Sequence, residues 1–155
     1  MKTFKQLIDD TLPHIKEIFP WDLEELLEQK KDPLLIDITE AKEFKRLHIK
    51  NSINVPRGIL EAACDWDYTD TLPELAKARD QEIIIVCRSG NRSVLAAFTM
   101  QLMGFTNVAS LKTGLRGWND YELALYDSEG NEVDIDAADE YFSAAPRGDQ
   151  MGPDE

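Results

Sequence analysis

Ile83-Ile84-Ile85-Val86-Cys87-Arg88-Ser89-Gly90-Asn91-Arg92-Ser93 is the stretch that decides how this chain reads. An apolar, β-branched run ends on a cysteine. A short polar loop with one glycine and two arginines follows. Val94 to Met103 then reads as a helix. Cys87 therefore falls where a buried strand meets the start of a helix. In open α/β sheets, ligands bind at the carboxyl edge of the strands. Loop amides and a helix N-terminus point toward an anion there, and the same field favours thiolate over thiol. Arg88 and Arg92 add fixed positive charge. The stretch describes a reactive cysteine in an anion cradle.

Working outward, Phe4, Leu7, Ile8 and Leu12 recur at helical spacing, which predicts an amphipathic helix over 3–12. Residues 14–18 read as a short edge strand. Pro20-Trp21-Asp22 opens a helix that runs to about Gln29. Leu34 to Ile38 is too apolar to have a solvent face and reads as a central strand. A helix over 40–47 and a short strand over 52–55 follow, the latter stopped by Pro56-Arg57-Gly58. Cys64 to Tyr68 reads as a loop with aromatic anchors, and Leu72 to Ala78 as a helix. Gly104 ends the long helix, 107–110 is a last strand, and Gly114 to Trp118 leads into a short helix. Strands alternating with helices predict an α/β fold, a central parallel sheet with helices on both faces.

The 155 residues suit one domain. The organisation reads as an N-terminal helical extension and first helix (1–30), a core (31–126) and an acidic tail (127–155). The formal charge is −13, and residues 127–155 carry −9 of it, with ten acids and one base, Arg147. That balance argues against nucleic acid or an anionic membrane surface as partner, and the tail reads as a solvating segment. Within it, Val133, Ile135, Tyr141 and Phe142 are the residues able to pack on the domain. No apolar run approaches the roughly 20 residues that span a bilayer. The N-terminus reads as no secretory signal. Two cysteines, Cys64 and Cys87, are too few for a disulfide scaffold, which points to a reducing, cytoplasmic setting. Two Cys and two His show no ligand spacing, so no metal and no cofactor is expected.

Three blocks resemble the rhodanese family of sulfurtransferases. The loop Cys87 to Ser93 is similar to the family's active-site loop. Phe44-Lys45-Arg46-Leu47-His48-Ile49 leading to Ile53-Asn54-Val55-Pro56 resembles its N-terminal signature. Leu111-Lys112-Thr113-Gly114-Leu115-Arg116-Gly117-Trp118 resembles its glycine-tryptophan block. They stand in the family's order and cover about 34–121. Three positions depart from the pattern. Thr39 stands where an arginine is usual, and Lys50-Asn51-Ser52 replaces a glycine-containing turn. Thr113 replaces one glycine of a pair. Asn51 is compatible with a left-handed turn conformation.

The resemblance implies a single rhodanese-like domain and a sulfur transfer by two displacements. The Cys87 thiolate takes the outer sulfur of a small anionic donor such as thiosulfate, and sulfite leaves. The resulting persulfide passes its sulfur to cyanide or a protein thiol, with ping-pong kinetics. Arg88, Ser89, Gly90, Asn91, Arg92 and Ser93 would bind the donor through backbone N–H groups, and Arg88 would help hold its charge. Arg92 would brace the loop against an acid, with Asp37 and Glu43 as the candidates. His48 reads as a structural, hydrogen-bonding histidine and Trp118 as packing for the last helix.

Two other readings compete. One is a low-turnover persulfide carrier or protein-interaction module, with the N-terminal helix and the tail docking a partner. The other is a cysteine-dependent phosphatase or arsenate reductase. Those enzymes place five residues between cysteine and arginine, to wrap a tetrahedral oxyanion. Here four stand between Cys87 and Arg92, and the shorter loop suits a single sulfur atom. Cys64 reads as a partly buried apolar side chain, with a resolving thiol as the sharper alternative.

Overall fold

The computed structural model describes residues 1–153. Five parallel strands form one sheet: β1 (Lys16–Ile18), β2 (Leu34–Asp37), β3 (Ile53–Asn54), β4 (Ile83–Val86) and β5 (Val108–Leu111), in the order β1-β5-β4-β2-β3. β4 is central, pairing Ile83 with Leu34 on one side and with Val108 on the other. All four of its residues are buried. Successive side chains alternate between the sheet's faces. Ile83, Ile85 and Cys87 join a core with Ile36, Ile38, Ala96, Ala97 and Met100. Ile84 and Val86 join the opposite core with Leu23, Leu35, Leu111 and Trp118. Burial of each such large aliphatic side chain contributes about 1.5–3 kcal/mol, so packing from both faces fixes this strand.

Eight helices cover the sheet among the described residues: α1 (Phe4–Thr11), α2 (Pro20–Glu28), α3 (Ala41–Arg46), α4 (Leu60–Ala63), α5 (Pro73–Ala76), α6 (Arg92–Leu102), α7 (Gly114–Asp120) and α8 (Ile135–Phe142). α1 begins with a capping box. The Thr3 hydroxyl accepts from the Gln6 N–H at 3.1 Å, and the Gln6 side chain accepts from the Thr3 N–H at 2.9 Å. α6 presents Ala96, Ala97 and Met100 to the β4 core and stops before Gly104, whose φ is +92°. None of the helices is long and apolar enough to cross a membrane.

The sequence reading differs from this structure in several places, four of which bear on the site or its surroundings. β1 is shorter than 14–18, because Leu12–His14 forms a 3-10 turn around Pro13. α6 starts at Arg92 rather than Val94, so Arg92 and Ser93 are helical. Trp66 and Tyr68 do not anchor their loop; they are about half exposed, and Thr71 holds the turn through Asp65 and Tyr68. The segment 127–155 is not uniformly a solvating tail. α8 within it buries Ala138 and Phe142 against the domain. Asp134 caps α8 on the Ala137 N–H at 3.0 Å, and Asn119 donates to the Ile135 carbonyl at 3.1 Å. Residues 143–153 beyond it are exposed.

Candidate active site

Cys87 follows the last residue of β4 and is 1% exposed. Its Sγ lies 3.2 Å from the Gly90 N–H, 3.4 Å from the Ser93 N–H and 3.2 Å from Ser93 Oγ. The loop turns back on the sulfur because Gly90 has φ +83°, a region open to glycine at no steric cost. A Cβ at Gly90 would also meet the Thr113 N at 2.7 Å. The first turn of α7 closes the other side. The Leu115 N–H donates to the Cys87 carbonyl, and the Arg116 N–H donates to the Arg88 carbonyl, each at 2.9 Å. Gly114 makes that approach possible, since a Cβ there would lie 2.4 Å from the Cys87 carbonyl oxygen. The loop and the start of α7 are therefore interlocked through backbone on backbone.

Arg92 makes a two-pronged pair with Glu43, at 3.0 and 2.9 Å. Of the two acids named as candidates for it, Glu43 is the one this guanidinium touches. Burial alone would raise the Glu43 carboxyl. The Arg92 guanidinium and the Glu40 N–H outweigh it and hold Glu43 below the usual carboxylate range. Asp37, the other candidate brace, makes no bond to Arg92. Its Oδ1 accepts from the Thr39 N–H at 2.9 Å and from the Thr39 hydroxyl. Thr39 stands where the family pattern has arginine, and it partners the buried acid directly. Asp37 Oδ2 is buried without a partner among the described residues, and burial pushes the carboxyl up to about 6.

Arg88 lies elsewhere than expected. Its Nη2 donates to the Tyr141 carbonyl at 2.9 Å. The guanidinium packs over the Tyr141 ring at 4.9 Å and near Phe142 at 5.9 Å. Arg46 covers Tyr141 as well, at 4.5 Å. So α8 captures a side chain of the cysteine loop. Ser89 and Asn91 are exposed on the rim. With Phe4, Ile8 and Val94 they border a groove of about 520 Å³ between α1 and the outside of the loop.

The remaining sequence candidates are structural. His48 Nδ1 bonds the Phe44 carbonyl at 2.7 Å, and its ring stacks on Phe44. Trp118 Nε1 donates to the Ala124 carbonyl at 3.0 Å. Asn51 has φ +67°, as its turn requires, and Thr113 has the same value. Cys64 is fully buried, and burial pushes its thiol up to about 12. A thiol that stays protonated does not attack a disulfide or persulfide sulfur. Among the described residues no group of three or more His, Cys, Asp or Glu side chains is placed to hold a metal.

Sequence reasoning missed two participants. Ser110 is fully buried on β5, and its hydroxyl lies 2.7 Å from that of Ser93. A lone hydroxyl in the apolar run Val108-Ala109-Ser110-Leu111 is a signal that could have been read. Tyr141 was read as able to pack on the domain, but nothing in the sequence ties it to Arg88, 53 positions away.

A family model described as "Rhodanese-like domain" matches residues 20–121. The chain is similar to an adenylyltransferase and sulfurtransferase of Candida albicans, 34% identical over 110 residues, covering 66% of this chain and 23% of that protein. It thus spans about a quarter of that relative's length. Among solved structures it is similar to one from Rhodopseudomonas palustris, described as a protein of unknown function and possible tyrosine phosphatase. The TM-score is 0.72 at 25% identity, covering 86% of this chain and 96% of that one. It is also similar to a polysulfide-sulfur transferase of Wolinella succinogenes, with TM-score 0.60 at 25% identity, covering 80% and 87%.

Proposed function

The chain belongs to the rhodanese-like domain family, and we propose that it transfers sulfane sulfur through a persulfide on Cys87. The observation that carries this is the cradle. Two backbone N–H groups donate to a buried Sγ at the end of a central strand, and the Ser93 hydroxyl lies 3.2 Å from it. Hydrogen bonds to the charged form of a sulfur favour that form, and the same donors suit the terminal sulfur of a persulfide. The Cys87 thiolate attacks the outer sulfur of thiosulfate, the S–S bond breaks, and sulfite departs with the electron pair. Cyanide or a thiolate then takes the outer sulfur and the Cys87 thiolate returns. Charge balances at both steps and no other reactant is needed.

Both loop arginines are engaged by protein groups, Arg92 by Glu43 and Arg88 by Tyr141. This argues against a phosphatase, whose loop arginine must face the oxyanion. The same engagement favours, as a second reading, a persulfide carrier of low turnover. Arg88 holds α8 in that reading rather than recruiting a free anion.

Intact mass separates these possibilities. Incubation with thiosulfate should add one sulfur atom, lost again on adding cyanide, and Cys87→Ser should add none. Steady thiocyanate formation marks the enzyme. A single stoichiometric load with slow release marks the carrier. Full thiocyanate formation by Cys87→Ser overturns the proposal.

A further inference from the structure

We propose that Ser110 is a positioning residue that acts on Cys87 through Ser93, and that the two hydroxyls form a relay aimed at the sulfur. This rests on Cys87 as the sulfur-carrying nucleophile. Cys87 Sγ, Ser93 Oγ and Ser110 Oγ stand in a line of contacts at 3.2 and 2.7 Å. All three residues are at most 1% exposed, so no bulk water completes the network. Ser93 lies in the first turn of α6 and Ser110 on β5, so the relay joins helix to sheet beneath the loop. Among the described residues the Ser110 hydroxyl is bonded to Ser93 alone.

The direction of donation follows from counting hydrogens. With a thiolate, Ser110 donates to Ser93 Oγ and Ser93 donates to the sulfur. Both hydroxyl hydrogens are then placed. With a thiol there are three hydrogens on the same three atoms, and one is left without an acceptor. A buried donor without a partner is costly. The relay is therefore complete only when Cys87 Sγ carries no hydrogen, as in the thiolate or, with the charge on the outer sulfur, in the persulfide. Ser110 supplies the hydrogen that fixes this polarity without touching the sulfur. The charged groups around the loop, Arg88, Arg92, Glu43 and Asp37, are unchanged by its removal.

The test is the alkylation rate of Cys87 by iodoacetamide at pH 7, read by mass on the Cys87 peptide, beside thiosulfate kinetics and a thermal melt. Ser110→Ala is expected to slow alkylation about tenfold and to lower kcat for sulfur transfer by a similar factor, consistent with the loss of one buried hydroxyl–hydroxyl hydrogen bond behind the sulfur. KM for thiosulfate should stay within about twofold, because Ser110 lies beneath the sulfur. Ser110→Thr and Ser110→Val have nearly equal shapes and isolate the hydroxyl. Thr should stay near the parent rate, while Val should behave like Ala. In a Ser93→Ala background, Ser110→Ala should add nothing further. An unchanged alkylation rate in Ser110→Ala, equal rates for the Thr and Val variants, or a full effect without Ser93 each overturns the relay. Alkylation reads the sulfur without any donor. A protein that never forms a persulfide therefore refutes the sulfur-transfer reading while leaving the relay measured.

Discussion

Replacing Asp37 by asparagine should have an effect on stability that shifts in the variant's favour between acid and neutral pH. Asp37 is fully buried, with one oxygen bonded twice by Thr39 and the other without a partner among the described residues. Burial pushes its carboxyl from 3.8 to about 6 in the folded protein. Between those values the folded chain holds a proton that the unfolded chain has released. Stability must then fall as pH rises through the window, and the full cost is present above about pH 6. A carboxyl raised that far costs about 3 kcal/mol at neutral pH, of which about half is already present at pH 5. The asparagine carbonyl keeps both Thr39 bonds, and the new amide, which cannot ionise, takes the place of the orphan oxygen. Its unpaired N–H groups cost about 1–3 kcal/mol at every pH. Variant minus parent should therefore move in favour of the variant by about 1.4 kcal/mol from pH 5 to pH 8. For a domain of this size that is about 3–6 °C in Tm. Urea unfolding of both proteins at pH 5, 6, 7 and 8 reads it directly, and titrations common to both cancel. A difference that stays constant within about 0.5 kcal/mol across that range refutes the assignment of a raised carboxyl to Asp37.

Arg92→Ala should cost about 1–2 kcal/mol of stability, since it strands a part-buried Glu43 in a pair that keeps some solvent screening. The thiosulfate KM should hold; unchanged stability with lost donor binding would reverse the bracing role. Arg88→Ala should loosen α8, read as faster amide exchange over 135–142, because it removes a charge-assisted bond and a ring contact. Exchange equal to the parent's would show that α8 stands without it. Cys64→Ala should keep more than half of wild-type sulfur transfer, its thiol being buried and protonated; loss of about 1.4 kcal/mol in transition-state stabilisation would mark it as a resolving thiol. Ending the chain after Phe142 should leave the melt unchanged, whereas ending it before Asp134 should cost about 3 kcal/mol or more through the lost burial of Ala138 and Phe142. Equal melts for the two truncations would show that α8 adds no stability.

Much of this fold is legible because its signals are local. Ile83 to Val86 is apolar without alternation, as a strand covered on both faces must be, and the Gly and Arg residues after Cys87 mark the turn. Asn51 is readable for the same reason, since one residue's backbone preference answers one turn. The pairing of Arg92 with Glu43 was half legible. The arginine asked for an acid, but Asp37 and Glu43 were equal candidates. Only the fold shows that Thr39 already occupies Asp37. The seat of Arg88 was not legible at all. An acidic, glycine- and proline-bearing tail signals solvation by its average composition. Ala138 and Phe142, with Val133 and Tyr141 packed beside them, were enough to dock one short helix, while Ile135 stays exposed. Composition averages over a segment, while docking depends on which few residues share a face.

The two helices outside the matched stretch stand on opposite flanks of one loop. α1 borders the groove outside Ser89 and Asn91, and α8 grips Arg88. The interlock of Gly90 and Gly114 lies within residues 20–121 and is backbone against backbone. Changes at either terminus therefore reach the rim of the loop, at Ser89, Asn91 and Arg88, and leave the backbone interlock beneath it untouched. For protein engineering this separates two design variables. The rim can be recut from the two flanking helices, and the backbone around the sulfur can be left as it is.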